Sequence, residues 1–161
     1  MRAKTWCSAT WDSDNDQILY WGAGHCLRSP SSIMHWSPAA NRFVDSYDAD
    51  EPYSWSGGGA CNSTLLGRPW VLSPHTYRLY SYDPKAKLLV YAYGGYAYDP
   101  VRMDWLRGVS FKPPFDVDWG AIVMQATSHG AVAWAHRPNR GPAGLWLFDR
   151  DKGWEDLKPA G

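Results

Sequence analysis

One segment of this chain is repeated 71 residues later, and this repeat constrains the fold more than any other feature. Residues 12–24 align without a gap with residues 83–95, and each copy follows a short strand-like stretch. Each copy holds a polar turn, then a second apolar strand, then glycines. This is the pattern of a β-hairpin with a glycine-rich exit. The chain is therefore predicted to be built from repeated antiparallel units.

A second repeated unit follows each hairpin. It consists of an aromatic strand, a turn of about five residues and a large aromatic anchor. The anchors are Phe43, Trp105 and Trp154, and a third hairpin is predicted over residues 122–136 with its turn at 128–130. Four short strands per unit, with a period near 50 residues, are typical of a β-propeller blade. We expect the anchors to pack between neighbouring blades.

Length and composition agree with an all-β chain that is one domain or a large piece of one. The 161 residues include 11 Trp, 15 Gly and 12 Pro, which suit strands and tight loops rather than helices. Lys plus Arg and Asp plus Glu are both 16, so the net charge is zero and no nucleic-acid partner is predicted. No apolar run approaches the roughly 20 residues of a membrane helix, so no membrane partner is predicted either.

These units resemble kelch repeats. The matching residues are a glycine pair, a Tyr-Asp pair and a tryptophan in the second unit, and a Gly-Trp pair in the third: Gly94, Gly95, Tyr98, Asp99, Trp105, Gly153 and Trp154. The resemblance implies an all-β, kelch-like β-propeller fold with three blades of four antiparallel strands, over residues 1–55, 56–111 and 112–161. The alternative is another all-β sandwich or barrel.

Three blades are too few for a closed propeller, which has about four to eight. Two partners are therefore considered: a second copy, giving a homodimer that closes a six-bladed ring, or the remainder of a longer chain. No signal peptide is recognised after Met1. The compartment is left open, with an extracellular or periplasmic location if the chain is a fragment.

The loops between the second and third strands are expected to share one face with the connections between blades. The candidate ligand-binding residues on or near this face are His25, Arg68, His75, Arg78 and His136. Arg78 is a better candidate than an arginine at the rim of this face, because it is predicted on the innermost strand, where a charge needs a partner or water. Residues 51–75 form a long insertion on the same face, with aromatic side chains suited to stacking on a ligand. Ordinary solvated loop residues are the competing interpretation.

Cys26 and Cys61 are predicted on the same face of adjacent blades. A disulfide, two free thiols and metal binding together with His25 all remain open, although the ligands for a metal are too few and none is predicted. The Asp-rich stretch 12–16 is interpreted as a turn, since it lacks the glycine and distal glutamate of a calcium loop.

No catalytic motif and no cofactor are identified. The preferred function is therefore a module that binds or scaffolds a protein or glycan through its loop face. The alternative is a fragment of a propeller enzyme with a site at the channel mouth, because propellers of the resembling kind include copper radical oxidases, lyases and hydrolases.

Overall fold

The computed structural model describes residues 8–21, 32–46, 61–63, 68–70, 78–92, 94–106, 109–115, 117, 122–135 and 144–158, with 61–63 and 68–70 described by their backbone alone. Within these ranges the chain is all-β. Three four-stranded antiparallel sheets each consist of four consecutive strands, and none of them closes into a barrel. The predicted fold class is confirmed at this level, as a propeller-like set of sheets.

The strands follow one another in simple up-and-down order. The first sheet contains β1 (Ser8–Asp12), β2 (Gln17–Trp21), β3 (Met34–Ser37) and β4 (Arg42–Asp45). A short hairpin follows, made of β5 (Cys61–Ser63) and β6 (Arg68–Trp70). The second sheet contains β7 (Tyr80–Asp83), β8 (Leu88–Tyr91), β9 (Tyr96–Asp99) and β10 (Asp104–Trp105). The third sheet contains β11 (Ile122–Thr127), β12 (Gly130–Ala135), β13 (Gly144–Asp149) and β14 (Gly153–Asp156).

Four of the hairpin turns use an aspartate in the same way. The side-chain Oδ1 of each accepts the backbone N–H groups two and three residues later; the four are Asp12, Asp83, Asp99 and Asp149. The residue four positions after each aspartate has a positive φ, between 51° and 82°. The chain reverses at these points because the aspartate side chain closes the turn and a residue with a left-handed backbone conformation ends it. The stretch 12–16 is therefore a hairpin turn, as predicted.

The second sheet is the centre of the core, and its two faces pack against the first and third sheets. Side chains alternate between the faces of a strand, so Tyr82 faces the first sheet while Asp83 faces the third. The Tyr82 hydroxyl donates to Asp14 Oδ2 at 2.6 Å, and Asp83 Oδ2 accepts the backbone N–H of Ala131 at 2.9 Å. Polar contacts thus join the first sheet to the second and the second sheet to the third.

Trp105 is buried between the first and second sheets, as expected for an anchor. It is 2% exposed, and its ring centroid lies 5.0 Å from that of Trp21 at the end of β2. Tyr91 and Tyr98 complete an aromatic cluster around this pair. Trp154 is partly buried, and its indole Nε1 donates to the carbonyl of Phe111 at 2.8 Å. Aromatic packing therefore joins consecutive sheets.

Gly95 shows why a glycine pair ends the second strand of this unit. Its φ is +66°, and a Cβ there would lie 2.5 Å from the backbone nitrogen of Lys112. The Gly95 carbonyl accepts the N–H of Phe111 at 2.6 Å. Only glycine allows this backbone conformation together with so close an approach of the segment that leads to the third sheet.

Candidate functional site

The first strands of the three sheets line a common groove. β1, β7 and β11 lie side by side there and enclose a cavity of about 530 Å³, which we call the axial groove. Its polar lining residues are Thr10 and Ser13 from the first sheet, Ser81 from the second, and Gln125, Thr127 and Ser128 from the third. The first strand of each four-stranded sheet therefore lies where the three sheets converge.

The axial groove is neutral along its described length. Its lining contains hydroxyl and amide side chains together with Trp11, Tyr80, Tyr82, Met124 and small residues, and no acidic or basic side chain. Ser13, Gln125 and Ser128 are exposed. A hydroxyl group can donate and accept, and an amide offers both kinds of group. The groove therefore presents mixed hydrogen-bonding capacity without a net charge.

Hydrogen bonds between strands hold the walls of the groove in place. The Thr10 hydroxyl accepts the backbone N–H of Tyr82 at 3.0 Å, which ties β1 to β7. The backbone N–H of Met124 donates to the carbonyl of Arg78 at 2.9 Å, which ties β11 to the segment entering β7. The Tyr80 hydroxyl donates to the Ser8 carbonyl and accepts the N–H of Trp21. The three walls are thus fixed relative to one another without a ligand.

A charged cluster lies beside the groove, at the boundary between the first and second sheets. Asp14 accepts the hydroxyl of Tyr82 and lies 3.6 Å from the ammonium nitrogen of Lys87. Burial, together with the neighbouring carboxylates of Asp14 and Asp12, raises the pKa of Tyr82 far above its usual value. Tyr82 therefore remains a neutral hydrogen-bond donor, and the cluster serves to join the two sheets.

His35 is a buried histidine with a hydrogen-bonding partner at each ring nitrogen. Its Nδ1 lies 3.0 Å from the Gln17 side-chain oxygen, and its Nε2 lies 2.6 Å from the Tyr98 hydroxyl. An amide oxygen can only accept, so Nδ1 carries the proton and Nε2 accepts from Tyr98. Burial lowers the pKa of His35, and the charge of Asp12 opposes that shift. The neutral ring links the first sheet to the second.

Most of the predicted site residues lie outside the described residues. These are His25, Cys26, His75 and His136, together with the aromatic residues of the 51–60 loop. Cys61 and Arg68 begin the two strands of the β5–β6 hairpin, in which Cys61 pairs with Trp70 and Arg68 with Ser63. The Cys26–Cys61 disulfide and the convergence of the histidines stay predictions.

Arg78 is described, and it is exposed. It lies two residues before β7 begins at Tyr80, and its backbone carbonyl contacts the third sheet through Met124. Arg78 therefore lies just before the strand on which it was predicted, and its side chain is exposed to solvent. The sequence analysis considered histidine and arginine as site residues and did not include the hydroxyl side chains of the groove. The 71-residue repeat could have indicated them, because Thr10 and Ser81 occupy equivalent positions in it.

In the described ranges, no three His, Cys, Asp or Glu side chains form a group that could hold a metal ion. That same part of the chain contains no helix with the length and apolar character needed to cross a membrane. Comparison with family models, curated proteins and solved structures gives no match for this chain.

Proposed function

We propose that this chain is a kelch-like propeller module that binds a neutral, hydroxyl-rich ligand of the glycan class in the axial groove. The observation that carries the proposal is the uncharged polar lining contributed by all three sheets. Grooves in which a few polar groups from several elements converge are the default position for ligand binding.

The neutrality of the lining favours this class over charged ligands. A phosphate or carboxylate entering the groove would lose hydration without meeting an opposite charge, and an unpaired charge is costly to desolvate. A sugar hydroxyl can instead exchange its water contacts for serine hydroxyls and the Gln125 amide, which donate and accept alike. Exposed Ser13 and Ser128 stand at the hairpin turns on two different sides of the groove.

The rigid walls support the same proposal. Thr10 is already bonded to Tyr82, and Thr127 donates to the Gly130 carbonyl at 2.7 Å, so these groups need no rearrangement on binding. Less conformational freedom is then lost when a ligand binds.

Calorimetric titration with neutral and acidic oligosaccharides tests the proposal. We expect heat of binding from one of a set of neutral hexasaccharides, such as cellohexaose, laminarihexaose and maltohexaose, and none from an acidic oligogalacturonide. Ser13→Trp and Ser128→Trp each place a bulky ring at an exposed turn beside the groove, and both should weaken that binding.

Ala39→Trp is the matched control. Ala39 is exposed in the β3–β4 turn at the outer edge of the first sheet, so this variant should bind like the parent. Binding of the acidic oligosaccharide alone, or neutral binding unchanged in both serine variants, would overturn the proposal.

A further inference from the structure

In each four-stranded sheet, one row of paired residues crosses all four strands. The member of this row on the fourth strand is the aromatic anchor. In the second sheet, strand register puts Tyr82, Leu89, Tyr98 and Trp105 in this row. All four are buried against the first sheet. In the third sheet the equivalent row is Ala126, Ala131, Phe148 and Trp154, on the side facing the second sheet. The row of each later sheet thus packs on the sheet before it.

The equivalent row of the first sheet is open. Strand register aligns Trp11, Ile18, Trp36 and Phe43 across its four strands. Trp11 is 44% exposed and Phe43 is 43% exposed, whereas their equivalents in the second sheet, Tyr82 and Trp105, are 0% and 2% exposed. The opposite face of this sheet, with Leu19 and His35, packs on the second sheet. The first sheet therefore presents an aromatic row that is partly exposed to solvent, unlike the equivalent row of the second sheet.

The third sheet presents the complementary face. On the side away from the second sheet, Trp134 is 48% exposed, and Val132, Leu145 and Leu147 are half-buried. Trp134 and Trp21 occupy equivalent positions of their hairpins. Trp21 pairs with Ser8, four residues before Asp12 at the end of β1. Trp134 pairs with Val123, four residues before Thr127 at the end of β11. Trp21 is the residue that packs on the anchor Trp105 of the following sheet.

We propose that two copies of this chain close a six-sheet ring, in which Trp134 of each copy packs against Phe43 of the other as Trp21 packs against Trp105. The contact continues the interface already present twice within the chain, so it needs no new kind of surface. Head-to-tail contacts of this kind close into a ring when the rotation per unit fits.

The count of four-stranded sheets agrees with a dimer. Propellers contain about four to eight blades, and two copies, each with three four-stranded sheets among its described residues, fall within that range. The ring would cover the exposed parts of Trp11 and Phe43 on the first sheet and of Trp134 on the third. Aromatic patches of this kind are seldom left exposed by a monomer. The axial groove, which is formed within one chain, would then lie beside the first strands of the second copy.

Sedimentation velocity of the whole chain at micromolar concentrations is the first test. We expect a mass twice the 18.2 kDa of one chain. A monomer at these concentrations overturns the proposal, as do open polymers of increasing length. This measurement concerns the open faces alone and is independent of glycan binding, so failure of either proposal leaves the other standing.

Paired substitutions test the arrangement itself. Phe43→Lys and Trp134→Glu each put a charge on one open face, and each should weaken the dimer by at least about tenfold, as loss of a buried aromatic contact does. Mixing the two variants should restore a dimer, because it has one parental interface and one interface with opposite charges facing each other. Val101→Lys, at a turn residue 73% exposed at the outer edge of the second sheet, is the control and should remain dimeric.

The mixture separates the ring from other dimers. If first sheets paired with first sheets, Trp134→Glu would leave the dimer intact and mixing would restore nothing, and either result overturns the ring. Circular dichroism of each variant checks that the sheets are folded. A variant that fails to fold is replaced by Phe43→Ser or Trp134→Ser, which carry no charge and should weaken the parental dimer in the same direction.

Discussion

The Nε2 atom of His35 and the hydroxyl oxygen of Tyr98 lie 2.6 Å apart across the boundary between the first and second sheets. Both side chains are buried. In the neutral imidazole, Nε2 accepts this hydrogen bond from the Tyr98 hydroxyl, and burial favours the neutral ring.

The burial of His35 predicts that the free energy of unfolding falls at mildly acidic pH. Burial lowers the pKa of His35 in the folded chain below its ordinary value of 6.5. The unfolded chain therefore binds the proton more readily, so the stabilisation is complete above pH 6.5 and is lost as the pH falls from there toward the folded-state pKa. Urea unfolding between pH 7.5 and 5 should show this loss, and His35→Gln should reduce it. His129→Gln, at an exposed turn residue, is the control and should change the stability little.

Trp105→Ala should lower the free energy of unfolding by about 3–5 kcal/mol, because it removes a buried indole and leaves a cavity between two sheets. That is a large share of the stability of an ordinary domain. Thermal and urea denaturation measure it. Val101→Ala, at a turn residue that is 73% exposed, should change stability little. A Trp105→Ala protein that melts within a degree or two of the parent would show that the tryptophan is not an anchor.

Asp83→Asn should cost about 2 kcal/mol, a typical loss when a buried hydrogen-bonding group is left unsatisfied. The asparagine oxygen can still accept the N–H groups of Lys85 and Ala86, but its NH₂ group would face the N–H of Ala131 in the third sheet. Asp99→Asn is the matched control, since one oxygen of Asp99 accepts both turn N–H groups. Equal losses in the two variants would contradict a role of Asp83 in joining the sheets.

Gly95→Ala should destabilise the chain far more than Gly153→Ala. Both glycines have a positive φ, which costs a residue with a Cβ about 1–2 kcal/mol. At Gly95 the new methyl group would also collide with the backbone of Lys112, whereas nothing lies within 4 Å of the Cβ position at Gly153. The difference between the two melting temperatures measures the collision. Similar melting temperatures would mean that residues 111–112 can move away.

The sequence repeat predicted the hairpins well, because strand alternation and turn chemistry are local. The third sheet is the clearest example: its first strand was predicted over residues 122–127 and is observed as Ile122–Thr127. Repetition also identified Trp105 as an anchor, since an aromatic residue recurring at one position of each unit implies a recurring contact.

The site was harder to predict, because it depends on how the sheets pack together. Arg78 was placed on the innermost strand, yet β7 begins two residues later and the side chain is exposed. The groove is lined by serine, threonine and glutamine, whose patterns resemble those of any loop or strand surface. Only the convergence of β1, β7 and β11 distinguishes these residues from others of the same type.

The up-and-down strand order has a consequence for how the chain folds. Every strand pair within a sheet joins neighbours along the chain, so each sheet can form with little loop-closure entropy. The contacts that cross between sheets are much more distant in sequence: Thr10 and Tyr82 are 72 residues apart, and Asp83 and Ala131 are 48 apart. Folding should therefore proceed from independent meanders to their docking, and the slowest step should be the one that brings β1 against β7.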